Sequence, residues 1–335
     1  MKPIPKPRLF LIFFSFIAYS LNAQESNYSK ILSQNQKVSP SFTGEIPGSW
    51  RIMTNYQSIK TATFKSQYFA FTFDMPVYLY GQKFGIGVHA LNDDIGGDFL
   101  TKQKFQLALA YHPVINNHVF SFGTQLGYVS YKTKLGNELW PDQYNDITHE
   151  YDPYLSSNET INGDLGYIDL GVGAKWRTLI SNFRPEFGIN VLHINSPEAS
   201  ATYNSIQIDP DVFITSSLKW DINDKYYALS ELLYNTHHAD NQITVGEIAA
   251  YVFTRNLLEK SVFTGGFFNI DNGQIYSFTA LIGTNYNQFH LALSYDLNFS
   301  KANRYTSIKG PFEITLSYMA ISGKLKKIAL PCMRF

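Results

Sequence analysis

The sequence is poor in cysteine and in charged residues. Its 335 residues include one cysteine, Cys332, which excludes a disulfide framework or a thiolate metal site within one chain. Charged residues make up 16%, whereas soluble domains typically contain about 25%. The 27 basic and 27 acidic residues balance, so no basic surface for nucleic acid is indicated. After residue 23, no apolar run approaches the ~20 residues that a membrane-spanning helix needs.

Catalytic and metal-binding motifs are also missing. The histidines lack the His-Glu-x-x-His spacing of a zinc site, and there is no Gly-x-Ser-x-Gly nucleophile elbow. The sequence therefore indicates neither a cofactor nor an enzyme. The enzymatic alternative that we keep is a barrel lipase, in which His290 pairs with Ser277 or Ser294.

Aromatic residues are abundant, with 26 Phe and 23 Tyr among a total of 16%. The mean hydropathy of −0.16 excludes a bundle of membrane helices. Strands of a transmembrane barrel alternate apolar and polar residues, so their hydropathy averages to near zero. Low charge, many aromatics and no net hydropathy together predict an all-β fold, a transmembrane antiparallel β-barrel.

The N-terminus has the pattern of a secretory signal. Lys2, Lys6 and Arg8 precede an apolar run over residues 9–19, and the segment ends at Ala23. We predict a cleaved signal peptide over residues 1–23, because the apolar run is short for a membrane-spanning anchor, which is the alternative. The mature chain is then exported, and we expect it in the outer membrane of a Gram-negative cell.

The mature chain divides into segments of about ten residues with a period of two. About fourteen of them lie between Ser49 and Met319, which predicts a barrel over residues 49–319 with both ends in the periplasm. Residues 24–48 form a predicted periplasmic lead or a plug-like segment, and residues 320–335 a periplasmic tail. Glycines along the strands, such as Gly85 and Gly87, are expected to allow curvature and close approach in the lumen. A soluble β-sandwich is the alternative fold.

Two connections contain the residues that we predict to bind a partner. Long connections follow odd-numbered strands, as expected of outer loops, and the longest runs from Thr133 to Asp164. Long loops often carry binding residues, and this one is rich in aromatic and acidic side chains. Its candidates are Trp140, Asp142, Tyr144, Asp152 and Tyr154. An acidic stretch that we read as a turn supplies three more, Asn92, Asp93 and Asp94.

The sequence also resembles a known family, PorP/SprF, whose members are outer-membrane proteins of the type IX secretion system. Residues 39–44 resemble the family's Asn-Pro-Ala-Tyr-Ala-Gly motif, and residues 74–76 its Asp-Ala-Pro turn. Residues 84–96 resemble a block that ends in Asn-Asp-Lys-Ile-Gly, and the last five residues resemble Pro-Cys-Pro-Arg-Phe. Ser39, Ser41, Asp94 and Met333 depart from these motifs, which indicates a divergent member with its own partner.

The resemblance implies a non-enzymatic component of the type IX secretion and gliding machinery, with no catalytic residue and no cofactor. It implies that the protein supports secretion of a cargo protein, or its anchoring at the surface, through the cargo's C-terminal domain. The implied partners are outer-membrane lipid, secretion-system ring lipoproteins and a large secreted surface protein such as a gliding adhesin. The alternative function is an outer-membrane channel for a small hydrophobic or polar solute, lined by inward Asp169, Lys175, Glu247 and Asp296.

Overall fold

The computed structural model describes residues 39–60, 65–97, 100–133, 143–145, 148, 150–152, 155, 164–199, 206–237, 240–255, 259–299 and 309–321. Among these residues, fourteen long antiparallel strands form one closed sheet. We number them β1 (Trp50–Lys60), β2 (Lys65–Leu79), β3 (Gln82–Ile95), β4 (Leu100–Tyr111), β5 (His118–Thr133), β6 (Asp164–Thr178), β7 (Phe183–Leu192), β8 (Asp211–Asp221), β9 (Tyr226–His237), β10 (Asp240–Thr254), β11 (Lys260–Asp271), β12 (Gln274–Tyr286), β13 (Phe289–Asn298) and β14 (Lys309–Ala320).

The sheet closes because its first strand pairs with its last. Trp50 of β1 is opposite Ala320 of β14, and Asn55 is opposite Thr315. Every other strand pairs with its sequence neighbours, so the wall is an up-and-down barrel without a free edge. This confirms the predicted all-β barrel of about fourteen strands. No helix within the described residues is long and apolar enough to cross a membrane.

The alternation of side chains separates a buried inner face from an exposed outer face. On β1, every second residue from Arg51 to Gln57 is buried and the intervening side chains are half-buried. Large apolar side chains such as Leu109, Ile168 and Ile282 are 57–61% exposed on the outer face. Because such a surface suits lipid rather than water, the alternation fits a membrane-spanning wall. The predicted inward positions of Asp169, Lys175 and Asp296 are confirmed, since these three side chains are buried.

The prediction that Glu247 lines the lumen is wrong. Glu247 is exposed, whereas its neighbours Ile248 and Ala250 on β10 are buried at 2% and 3% exposure. They belong to an apolar cluster inside the barrel on β9 to β13, which also contains Tyr227, Val252, Phe263, Phe267, Leu281 and Ala292. On β10 both alternating sets contain apolar residues, and Glu247 belongs to the outward set together with Val245 and Phe253, which are 37% and 63% exposed.

Aromatic side chains mark the end of the barrel where β1 begins and β14 ends. Their rings contact one another across neighbouring strands near the short turns. The pairs, with their centroid distances, are Trp50–Tyr318 (5.4 Å), Phe84–Tyr111 (4.9 Å), Phe183–Trp220 (5.7 Å) and Tyr226–Tyr251 (5.2 Å). We call these residues the aromatic girdle, because aromatic rings at the end of a membrane barrel lie at the lipid–water interface.

The connections differ in length between the two ends. At the girdle end the strands are joined by residues 80–81, 112–117, 179–182, 222–225, 255–259 and 287–288. At the other end the longest connections are residues 134–163, 193–210 and 299–308. This asymmetry agrees with the predicted topology, in which short turns are periplasmic and long loops are outside.

Candidate functional site

The N-terminal part of the described chain lies inside the barrel. Residues 39–48, which we call the lumen segment, include a short 3-10 helix, Pro40–Phe42, closed by the Thr43 N–H donating to the Pro40 carbonyl at 3.1 Å. This helix contacts β4, β5 and β6, and Ser39 and Ser41 are almost completely buried. Of the predicted lead over residues 24–48, the described residues thus lie in the lumen.

Inward glycines make room for this segment. A Cβ atom on Gly85 of β3 would clash with the Thr43 carbonyl, and one on Gly123 of β5 would clash with the backbone of Pro40. Gly44 has a φ of +69° and its own α-carbon lies against Gly85, so a side chain would be strained there as well. Because these close contacts are backbone to backbone, a larger residue on the wall would displace the segment.

A buried arginine–aspartate pair binds the turn of the lumen segment. Arg51 donates to Asp74 through Nε at 2.9 Å and through Nη2 at 2.8 Å, in the two-point geometry that is strongest for this pair. Asp74 Oδ2 also accepts the Gly44 N–H at 2.7 Å. Asp74 therefore links strands β1 and β2 to the segment.

Glu45 carries the negative charge of the segment into a basic patch of β6. Its carboxylate forms ion pairs with Lys175 and Arg177, the latter at 2.5 Å, and Lys175 Nζ lies 3.4 Å from Glu186 Oε2. The Lys175 ammonium also lies 3.5 Å from the centroid of the Phe42 ring. Burial would raise the pKa of Glu45, but Lys175 and Arg177 outweigh it and lower that pKa to about 2. Glu45 is thus charged at neutral pH.

His112, in the turn after β4, contacts the same segment. Its Nε2 lies 2.9 Å from the Thr43 carbonyl and its Nδ1 lies 2.8 Å from the Ser121 hydroxyl. A carbonyl only accepts, so Nε2 carries the proton and donates to Thr43, while Nδ1 accepts from Ser121. Burial lowers the pKa of His112 to about 4, although the Glu45 carboxylate opposes the shift. The imidazole is therefore neutral at neutral pH.

Three of the motifs that carry the family resemblance meet at this site. They are residues 39–44 in the lumen segment, Asp74 on β2 and the glycines of residues 84–96 on β3. Sequence reasoning did not connect them, and it missed Glu45, His112 and Arg177. A signal was present, because Lys175 and Arg177 are alternate positions on one strand and so must face the same side.

A second buried cluster lies towards the outer loops. His193 Nδ1 is 2.7 Å from Asp169 Oδ1, and Lys104 Nζ is 2.8 Å from Asp169 Oδ2. The cluster joins β4 and β6 to the start of the connection 193–210, since His193 directly follows β7. It can position this outer loop on the wall.

The predicted partner-binding residues are only partly within the described residues. Trp140, Asp142 and Tyr154 lie outside the described residues. Tyr144 is in a two-residue strand, and the Asp152 N–H donates to the Gln143 carbonyl at 2.9 Å.

The interpretation of Asn92, Asp93 and Asp94 as a turn is wrong. Strand β3 continues to Ile95, so the three residues pair with Gln103, Lys102 and Thr101 of β4. The backbone of these residues pairs with β4 rather than forming local Asx turns, because β4 lies opposite along the whole stretch.

The histidine and serines of the lipase alternative are not brought together. His290 is paired with Asn285, and its Nδ1 lies 2.6 Å from the Asn285 Oδ1. Ser277 lies eight positions from Asn285 on β12, which is about 26 Å of strand. Ser294 lies four positions from His290 on β13, or about 13 Å. In the part of the chain that the structure describes, there is also no group of three His, Cys, Asp or Glu residues that could hold a metal ion.

Comparisons with known proteins agree with this architecture. The family described as "Type IX secretion system membrane protein PorP/SprF" matches residues 20–318. Comparison with curated proteins found no match.

Two solved structures share the fold at low sequence identity. The toluene transporter TbuX of Ralstonia pickettii has a TM-score of 0.51 and 12% identity, covering 86% of this chain and 93% of that chain. The toluene transporter TodX of Pseudomonas putida has a TM-score of 0.52 and 11% identity, covering 85% and 93%. These structures support the closed barrel fold.

Proposed function

Because this chain belongs to the PorP/SprF family of type IX secretion system membrane proteins, we propose that it is a non-enzymatic outer-membrane component that supports secretion or surface anchoring of a cargo protein. The observation that carries the proposal is the family match over residues 20–318, which includes the whole barrel except its last two residues. We propose further that a cleaved signal peptide, residues 1–23, directs export, and that the cargo is recognised through its C-terminal domain.

The two ends of the barrel suit different partners. The long connections 134–163 and 193–210 lie at one end, where they can reach a large secreted surface protein such as a gliding adhesin. The lumen segment and β14 lead to the opposite end, where the chain can reach secretion-system ring lipoproteins. The closed wall between them holds both surfaces at a fixed separation.

Deletion of residues 137–158 tests the role of the longest loop. We expect cargo display at the cell surface to be lost, while the barrel still assembles and shows heat-modifiable migration in gels. Deletion of residues 301–306, from another outer connection, is the matched control and should leave display intact. Unchanged display after the first deletion would contradict a role of this loop in cargo binding.

Affinity capture from gently solubilised outer membranes identifies the partners. We expect ring lipoproteins or a large surface protein to be recovered with the tagged barrel, and mass spectrometry distinguishes the two. Recovery of the folded barrel alone would argue against a secretion component.

A channel for a small hydrophobic or polar solute is the second candidate, since TbuX and TodX, which share the fold, are toluene transporters. The lumen segment opposes it, because buried ion pairs and backbone contacts hold residues 39–46 against the wall. Conductance in planar bilayers separates the two functions: a secretion component closed by this segment shows no steady current, whereas a solute channel does.

A further inference from the structure

An acidic side chain faces outward in the middle of the barrel wall. Glu247 of β10 is exposed and lies between Ser230 of β9 and Gly266 of β11 in the register of the sheet. Four residues separate it from Tyr251 of the aromatic girdle, which is about 13 Å along the strand and about 10 Å along the membrane normal at a tilt of ~40°. The apolar band of such barrels is about 25 Å tall, so Glu247 lies near its middle.

The surface on the β9 and β10 side of Glu247 contains small side chains, namely Ala228, Ser230 and Ala249. Large apolar side chains lie beside them: Leu232, Val245 and Phe268 are exposed on the same face, and the Phe278 ring lies over Gly266. On the opposite side of the barrel the corresponding positions carry large apolar side chains, for example Leu107, Leu109 and Leu126, each 50–57% exposed. Other apolar side chains of β9 to β12 face inward and form the cluster inside the lumen. The outer surface beside Glu247 on β9 and β10 therefore has smaller side chains than the opposite wall.

The charge of Glu247 has no counterpart within the described residues. No ion pair or hydrogen bond of its side chain is found in that part of the chain, and Ser230 and Thr264 are its nearest polar neighbours in the sheet. An ionisable side chain exposed to lipid tails is unfavourable, so such residues usually have a partner.

A second copy of this chain does not supply the complementary charge. Lysines and arginines of the described strands point into the lumen, as Arg51, Lys104 and Lys175 do, or lie near strand ends, as Lys65 and Lys260 do. A symmetric contact would instead place the two Glu247 carboxylates close together, which is repulsive.

We propose that the outer face of β9–β11 around Glu247 is a docking surface for a membrane-spanning segment of a second protein that carries a lysine or arginine near the bilayer midplane. The small residues Ala228, Ser230 and Ala249 let that segment approach the backbone of β9 and β10 closely, and Glu247 pairs with its cation away from water, where an ion pair is least screened. The surface is independent of the proposed function, since a secretion component or a solute channel can use it.

Site-specific photocrosslinking in living cells tests this surface. A photoreactive residue at Ser230 should give one discrete adduct with a different protein, and the same probe at Leu107 on the opposite wall should give none. The crosslinked peptide should come from an apolar spanning segment and contain or flank a lysine or arginine. Adduct yield should fall at least tenfold in Glu247→Leu and persist in Glu247→Asp, which keeps the charge.

Thermal stability provides the second measurement. Isolated Glu247→Leu barrel should unfold at a temperature equal to or above that of the unaltered barrel, because the substitution removes a charge from the apolar band. Loss of the adduct with unchanged or raised stability therefore supports docking. The proposal is overturned if no adduct forms, if the adduct is a second copy of this chain, or if its yield is the same in Glu247→Leu.

Discussion

Glu45 is the residue on which the position of the lumen segment depends most. It is the acidic residue of residues 39–48, and it is paired with two cations of β6, Lys175 and Arg177, in a region where all three side chains are nearly buried. Removing one member of a buried ion pair leaves the others without compensation, which typically costs about 3–5 kcal/mol. The lumen segment should therefore detach when this one charge is removed.

We expect Glu45→Gln to expose the lumen segment at neutral pH. The folded state lowers the pKa of Glu45 from 4.5 to about 2, so the Glu45 carboxylate stabilises the folded state fully above pH 4.5. This stabilisation is lost as the pH falls towards about 2, and the effect of the substitution is therefore complete at neutral pH. The measurement is maleimide labelling of Ser41→Cys in a Cys332→Ser background. Labelling should be at least tenfold faster in Glu45→Gln, and Glu198→Gln, an exposed change in an outer loop, is the control. Equal labelling rates would show that the ion pairs do not hold the segment.

The alternation of side chains predicted which residues face the lumen, but only on strands where one alternating set is apolar and faces outward. Asp169 and Lys175 were placed correctly because the alternate positions of β6 carry large apolar side chains such as Ile168, Leu170 and Trp176. On β10 both alternating sets contain apolar residues, and Ile248 and Val252 pack inside the barrel. The strand pattern alone does not distinguish the lumen from the lipid when the lumen is itself apolar, which is why Glu247 was assigned to the wrong face.

At the scale of elements, the lumen segment packs directly against strands β3 and β5 because glycines on these strands have no side chain in the way. We expect Gly123→Ala to displace the segment, because the added Cβ would meet the backbone of Pro40. Gly127→Ala is the matched control on the same strand and face, where the nearest atom belongs to the Gln106 side chain, which can move. Labelling of Ser41→Cys, as above, should rise in the first variant and remain low in the second. The same rate in both would mean that the close approach is not required.

The strands were predictable because their alternating pattern follows from pairing with neighbouring strands. Features that depend on contacts between distant residues were less predictable. The strand boundaries followed from alternation, yet β3 extends through Asn92 to Asp94 because β4 pairs with it along its whole length. The lumen segment has no periodic pattern, so its position depends on distant residues such as Asp74 and Lys175. A sequence pattern reports local geometry, and these contacts join residues 30 and 130 positions apart.

At the scale of the whole molecule, closure of the wall depends on the pairing of β1 with β14. We expect Asn55→Cys and Thr315→Cys, in a Cys332→Ser background, to form a disulfide in the folded barrel, because residues directly opposite on antiparallel strands are within disulfide reach. The bond should change migration on a non-reducing gel. Asn55→Cys with Ser317→Cys, shifted by two residues on the same face, is the control and should not crosslink. Absence of the bond in the first pair would contradict the closed register.

The whole barrel was the most predictable level. Low charge, many aromatics and regular turn spacing all result from the need to pair every strand and to face lipid, so they are spread over the entire sequence. The interior was the least predictable level. The lumen segment fills one side of it against glycines of the wall, and an apolar cluster fills the other side, and neither follows from the pattern along a single strand.

The location of the lumen segment has a consequence for the order of assembly. Its polar contacts reach Asp74, Lys83, His112, Lys175, Arg177 and Asn190, all within the first seven strands. The wall closes only when β14 pairs with β1, for example Asn55 with Thr315, which are 260 positions apart. The curved half-sheet β1–β7 can therefore bind the segment while the barrel is still open, and the later strands then enclose it. The N-terminus need not be threaded into a finished pore, and the segment can act as a template for the curvature of the first half of the wall.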